Sequence, residues 1–104
     1  MEKMTYRDVL FRIGYFRNKN GLSARETSLR MGASQSFINR IERNTVELRV
    51  STLLDFMDIV NITPEEFFYP DPEKFEEDRA LLEEISELSD ENKKIVSELI
   101  RKLK

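Results

Sequence analysis

Apolar residues recur along this chain at helical spacing, in short runs divided by turn residues. Tyr6, Val9, Leu10, Ile13 and Phe16 share one face, and Thr5 with Asp8 three residues on supplies a cap. A first helix is therefore expected to run to about Asn18, with Asn20-Gly21 ending it. Ser23 followed by Glu26 reads as a reciprocal capping box opening a second helix, which Met31 closes and Gly32 turns. Ser28 is small where that helix should cross its neighbour. Ser34 is placed to cap a third helix, whose Phe37, Ile38 and Ile41 repeat inward. A loop from Asn44 to Val50 follows, with Asn44 as a left-handed residue. Ser51 then starts a fourth helix that points Leu53, Leu54, Met57 and Val60 at the core, and Asn61-Ile62 closes it. Thr63-Pro64-Glu65-Glu66 reads as the cap, first-turn proline and acids of a fifth helix, after which Phe67 and Phe68 are expected to complete the core.

Tyr69-Pro70-Asp71-Pro72 interrupts the pattern, because two prolines in three residues block helix continuation. Beyond it a helix is expected from about Glu73 to Leu88, with Phe75, Leu82, Ile85 and Leu88 on one stripe. Ser89 caps another, from Asp90 to Leu103, with Ile95, Val96, Leu99, Ile100 and Leu103 on its apolar face. Acids lead this last helix and bases end it, as the helix dipole favours. No strand or repeat pattern is visible. The expected fold class is all-α: residues 1–69 form one unit and residues 70–104 an acidic C-terminal helical hairpin.

Composition narrows the chemistry. The 104 residues suit a small domain with a tail, and 39% hydrophobic content supports a modest core rather than an enclosed substrate cavity. Cysteine and histidine are both absent, which removes disulfides, thiolate or imidazole metal sites and His-based catalysis. The adjacent carboxylates Glu65-Glu66, Glu76-Glu77 and Glu83-Glu84 cannot face one another on a helix, so they do not form acid/base pairs. No apolar run approaches the ~20 residues of a membrane span. The opening MEKMTYRDVL has no signal-peptide core, so the expected location is the cytoplasm.

Charge is unevenly spread. The net value is −3, yet residues 1–50 hold ten Lys and Arg against five Asp and Glu, whereas residues 71–104 hold seven against eleven. A basic front with an acidic tail fits a nucleic-acid reader carrying a separate association segment. The segment from Gly21 to Arg43 has the pattern of a helix-turn-helix: a capped short helix, a small residue at the crossing, a glycine turn and a clamped second helix. The face left over holds Gln35, Ser36, Asn39 and Arg40, side chains suited to base edges; Arg40 can pair bidentately with guanine and Gln35 with adenine. Ser23, Arg25, Arg43, Asn44 and Thr45 flank that face and are the candidate phosphate contacts, through side chains or main-chain N–H groups. Phe37 could stack on a base, but its spacing with Ile41 favours the core.

Four pieces together resemble the phage repressor/Cro class of helix-turn-helix proteins, also called the xenobiotic-response-element (XRE) family: GLS at 21–23, Gly32-x-Ser34, FINRIER at 37–43 and ITPEEFF at 62–68. The likeness runs from about Tyr6 to Phe68. It implies a five-helix repressor-like domain whose helix opening at Ser34 enters the major groove. It also implies a partly buried structural ion pair between Arg17 and Glu42. The sequence departs from the family at Ala24, where Gln is frequent, at Thr27, usually apolar, and at Asn44 and Val50, where Gly and Pro are frequent.

The expectation is a sequence-specific transcriptional regulator of double-stranded DNA, not an enzyme and without a cofactor. It would be bacterial or phage in origin, nucleoid-associated when bound, and a repressor acting as a homodimer on a palindromic operator. Two other readings stand. One is an antitoxin-type autoregulator whose segment 73–104 binds a toxin. The other is a protein-interaction module with a degenerate helix-turn-helix, which the net acidity and Ala24 favour.

Overall fold

Thr5 holds the first turn of α1 (Tyr6–Lys19) by a full capping box in the computed structural model, which describes residues 3–104. The Asp8 N–H donates to Thr5 Oγ1 at 3.2 Å and the Thr5 N–H donates to Asp8 Oδ2 at 2.8 Å. The Thr5 amide, then the Thr5 hydroxyl and the nearby Arg12 charge hold the Asp8 carboxyl below its ordinary value. The contribution of the box is therefore complete above the ordinary aspartate range and is lost as pH falls through the lower, folded value. The Thr5 amide resonance should titrate with a midpoint below that of an unfolded aspartate, and Asp8→Asn should abolish the step. A Thr5 amide that does not respond to acid would contradict this account.

The front unit continues with α2 (Ala24–Arg30), α3 (Phe37–Glu42), α4 (Val50–Val60) and the single turn α5 (Pro64–Phe67). Four closures share one geometry, at Gly21, Gly32, Asn44 and Asn61, all with φ between 56° and 74°. In each case the left-handed residue donates three residues back and the next residue donates five back. At Gly32 these bonds reach the Leu29 and Ser28 carbonyls, both at 3.0 Å, and at Asn44 they reach Ile41 and Arg40, both at 2.9 Å. Gly32 takes this conformation in the turn between α2 and α3, where a β-carbon would be strained.

The core joins Leu10, Ile13 and Phe16 of α1 to Ile38 and Ile41 of α3, to Leu53, Phe56, Met57 and Val60 of α4, and to Phe67. The Phe16 and Phe67 rings stack at 5.5 Å. Arg12 Nη1 donates to the Phe67 carbonyl at 2.7 Å, tying α5 to α1. The Leu48 N–H donates to the Tyr6 hydroxyl at 2.8 Å, which anchors the loop before α4.

Several sequence expectations are corrected here. Leu54 is 49% exposed and Phe56 is fully buried. The helical face through Leu53, Met57 and Val60 takes Phe56 as its fourth member and leaves Leu54 at the rim. α4 begins at Val50, one residue earlier than Ser51 suggests, with Arg49 at the cap position and no side-chain cap bond. Phe68 is 45% exposed; adjacent residues on a single turn point about 100° apart, so only Phe67 can face inward. The box at Ser23 is half made: Ser23 Oγ accepts the Glu26 N–H at 3.0 Å, but the Glu26 carboxylate pairs with Arg30 at 3.1 Å.

The second unit begins at Tyr69. Asp71 caps a short 3-10 turn over Pro72–Lys74, which leads into α6 (Phe75–Ser86); α7 (Asp90–Leu103) follows, with Ser89 Oγ accepting the Asn92 N–H at 3.2 Å. The Tyr69 hydroxyl donates to Asp78, and its ring meets Phe75 edge to face at 5.3 Å. No residue of α6 or α7 is buried, and Leu81, Leu82, Ile95, Leu99, Ile100 and Leu103 are 45% to 76% exposed. Among the described residues, no helix is long and apolar enough to cross a membrane.

Candidate nucleic-acid interface

The site is built from α2, the Gly32 turn and α3. Ile38 and Ile41 anchor one side of α3 in the core, with Phe37 half-buried against it. That anchoring turns Gln35, Ser36, Asn39 and Arg40 outward, and all four are exposed. Gln35 and Ser36 lie in the turn that leads into α3 rather than on it, because α3 begins at Phe37.

Ser34 does not cap α3 as its sequence position suggests. Its carbonyl accepts the Phe37 N–H at 3.0 Å, forming a turn, and its hydroxyl accepts from Arg40 Nη2 at 3.2 Å. Residue Ser36 stands at the cap position with φ −100° and ψ 3°, not the extended backbone of a capping serine, and makes no side-chain cap bond. The donor left over, the Ile38 N–H, bonds instead to Ser28 Oγ of α2 at 2.9 Å. Ser28 and its neighbour Thr27 are fully buried; their hydroxyls donate to the Ala24 and Ser23 carbonyls, each at 2.8 Å. The sequence marked Ser28 only as small, and nothing in its local pattern announces a bond ten residues away.

Two side-chain bonds cross the candidate surface. Arg25 Nε donates to Gln35 Oε1 at 3.1 Å, so the first turn of α2 steadies the residue that leads α3, and Gln35 keeps its amide N–H groups for another acceptor. The Arg40–Ser34 bond draws the guanidinium toward the turn. Ser23 is exposed, with its hydroxyl oxygen accepting within α2. At the far end of α3, the main-chain N–H groups of Arg43, Asn44 and Thr45 all donate back into the helix, and Thr45 Oγ1 donates to the Arg40 carbonyl at 3.0 Å. The closure thus consumes the backbone donors there, and the exposed side chains of Arg43 and Asn44 remain the groups directed to solvent.

Beneath this surface, Arg17 and Glu42 meet as a fork: Nε to Oε2 at 2.9 Å and Nη2 to Oε1 at 3.0 Å, with 14% and 20% of the side chains exposed. Arg17 Nη1 also donates to the Leu22 carbonyl at 3.0 Å. One guanidinium therefore joins α1, the Gly21 turn and the last turn of α3. Gly14 makes the approach feasible, since a β-carbon there would lie 3.0 Å from Glu42 Oε1. A glycine inside a helix costs about 1 kcal/mol relative to alanine, and here the space it leaves holds the carboxylate.

A helix-turn-helix family model matches residues 13–67, more than half of the chain. No curated protein and no solved structure matches it. The chain belongs to the XRE/Cro-type helix-turn-helix family, and it is a DNA-binding regulator in that broad sense.

Proposed function

We propose that this protein is a sequence-specific repressor that binds a palindromic operator as a dimer, inserting α3 into the major groove. The observation that carries the reading is the division of α3 and the turn leading into it: Ile38 and Ile41 are fully buried, while Gln35, Ser36, Asn39 and Arg40, all donor-bearing, are exposed. Ser23, Arg25, Arg43, Asn44 and Thr45 lie at its two ends, where phosphates flank a groove-bound helix. Residues 1–69 would read the DNA and residues 70–104 would associate. Selection of bound duplexes from a random pool, followed by binding across a salt series, tests the reading. A recovered consensus and a steep loss with salt support it. Absence of binding at any salt would favour the interaction module.

Within this reading, Arg40→Ala relaxes base choice at one position per half-site, because a bidentate contact contributes about 1–3 kcal/mol of discrimination. Arg43→Ala weakens all sequences alike and flattens the salt dependence, since a phosphate contact carries no base information. Competition with single-base operator variants separates the two; an Arg40→Ala protein that loses affinity equally for every variant would refute the base assignment.

A second reading keeps the DNA-binding front and gives segment 73–104 a different protein, such as a toxin. The exposed apolar faces of α6 and α7 support a protein partner of either kind.

A further inference from the structure

We propose that Ser28, which lies on α2 and faces no DNA, is a positioning residue for reading by α3. The inference rests on the reading of α3 as the groove helix. Helices α1, α2, α5 and α7 open on Thr5, Ser23, Thr63 and Ser89, each in extended backbone and each accepting a first-turn N–H through its side chain. Helix α3 has no such cap. The turn conformation at Ser36 keeps its hydroxyl from reaching back, and Ser34 is engaged with Arg40.

Ser28 supplies the missing acceptor from the neighbouring helix. Its hydroxyl hydrogen is directed to the Ala24 carbonyl, which leaves an oxygen lone pair for the Ile38 N–H at 2.9 Å. Its own carbonyl accepts the Ala33 N–H at 3.0 Å. A single buried residue thus holds the turn where it leaves α2 and α3 where it begins. Without the hydroxyl, the fully buried Ile38 N–H has no acceptor from α2, and the first turn of α3 can shift with the exposed residues around it. The side chains that would touch DNA depend on that registration at the scale of an ångström.

The test compares Ser28→Ala with Thr27→Val. Thr27 is equally buried, and its hydroxyl bonds only within α2, to the Ser23 carbonyl. Both changes delete one buried hydroxyl, but only the first touches α3. Alanine is also the better helix former, so α2 itself is not weakened by propensity. In the free protein, exchange of the Ile38 amide should accelerate at least tenfold in Ser28→Ala relative to the Phe56 amide, and should not in Thr27→Val. Well below the melting temperature, the ratio of selected-site to random-duplex affinity should fall about tenfold in Ser28→Ala and stay within twofold in Thr27→Val. If Ser28→Ala does not fold, Ser28→Cys, nearly isosteric and a weak acceptor, carries the same two measurements.

An unchanged Ile38 amide, or an equal loss of preference in Thr27→Val, overturns the proposal. A wild-type protein with no preference among duplexes overturns the groove-helix reading on which it rests. The exchange measurement needs no DNA and distinguishes that failure from a failure of the Ser28 bond.

Discussion

A chain ending at Pro70 should remain helical, sediment as a monomer and bind its operator roughly 10²–10⁴-fold more weakly than the full chain. The front unit contains its own core, closing on Phe67, and is therefore expected to fold without the tail. The tail cannot be independent in the same way. Its two helices bury no residue of their own and expose six large apolar side chains, more than a two-helix segment leaves uncovered without a partner. A second copy is the occupant we propose. The range Phe75–Ser86 carries five acids against one base, whereas Asp90–Leu103 carries four bases against three acids. Pairing α6 of one protomer with α7 of the other would bring unlike charges together along the apolar seam. Two copies of α3 could then be held about 34 Å apart, matching successive major grooves on one DNA face. Affinity would rise because the second half-site binds intramolecularly, without new base contacts. Sedimentation of the full chain at micromolar concentration decides the matter: a monomer there rules out tail-driven dimerisation.

Glu42→Ala should lower stability by about 3 kcal/mol, near the low end for stranding one member of a buried ion pair, because both partners retain some solvent. For a domain of this size that corresponds to a melting temperature lower by roughly 12–24 °C. Arg17→Ala strands Glu42 and also releases the Leu22 carbonyl, so it should cost at least as much. The double variant should lose clearly less than the sum of the two, because neither charge is then left facing an absent partner. Base preference should change little in Glu42→Ala measured below its melting point, since the Glu42 carboxylate is engaged with Arg17 of α1. Thermal unfolding of the three variants gives the cycle. Equal melting temperatures for wild type and Glu42→Ala would contradict the structural role.

Much of the fold could be read from local chemistry. The caps at Thr5, Ser23, Thr63 and Ser89 and the left-handed closures at Gly32, Asn44 and Asn61 are decided within a few residues, and pattern reading finds them. Other features depend on distant neighbours. Ser34 looks like a cap by its position, yet the Gly32 turn carries the chain so that only Ser28 reaches the α3 donor. Leu54 and Phe56 are both apolar; Phe56, not Leu54, completes the i, i+3, i+4, i+7 spacing with Leu53, Met57 and Val60 and is the one buried. Arg17 is one of ten basic residues in the first fifty, and composition gives no reason to single it out; the family resemblance implied its pairing. Gly14 gave no turn signal because its role is to leave space for another residue's carboxylate. The proposed reading face is legible because burial of Ile38 and Ile41 fixes, by helical spacing, what must point outward.

The way α3 is fastened bears on how such a protein can change its target over evolution. Its attachments run through the Ile38 amide at one end, Ile41 and Glu42 on the inner side, and the Asn44 closure at the other end. The side chains of Ser36 and Asn39 belong to none of these, those of Gln35 and Arg40 make only exposed bonds, to Arg25 and Ser34, and Arg40 otherwise contributes its backbone carbonyl to the closure. Exposed substitutions of this kind usually move stability by less than about 0.5 kcal/mol. If these four outward positions read the operator as proposed, they can be exchanged at little cost in stability, so that a lineage could acquire a new operator without first acquiring a more stable scaffold.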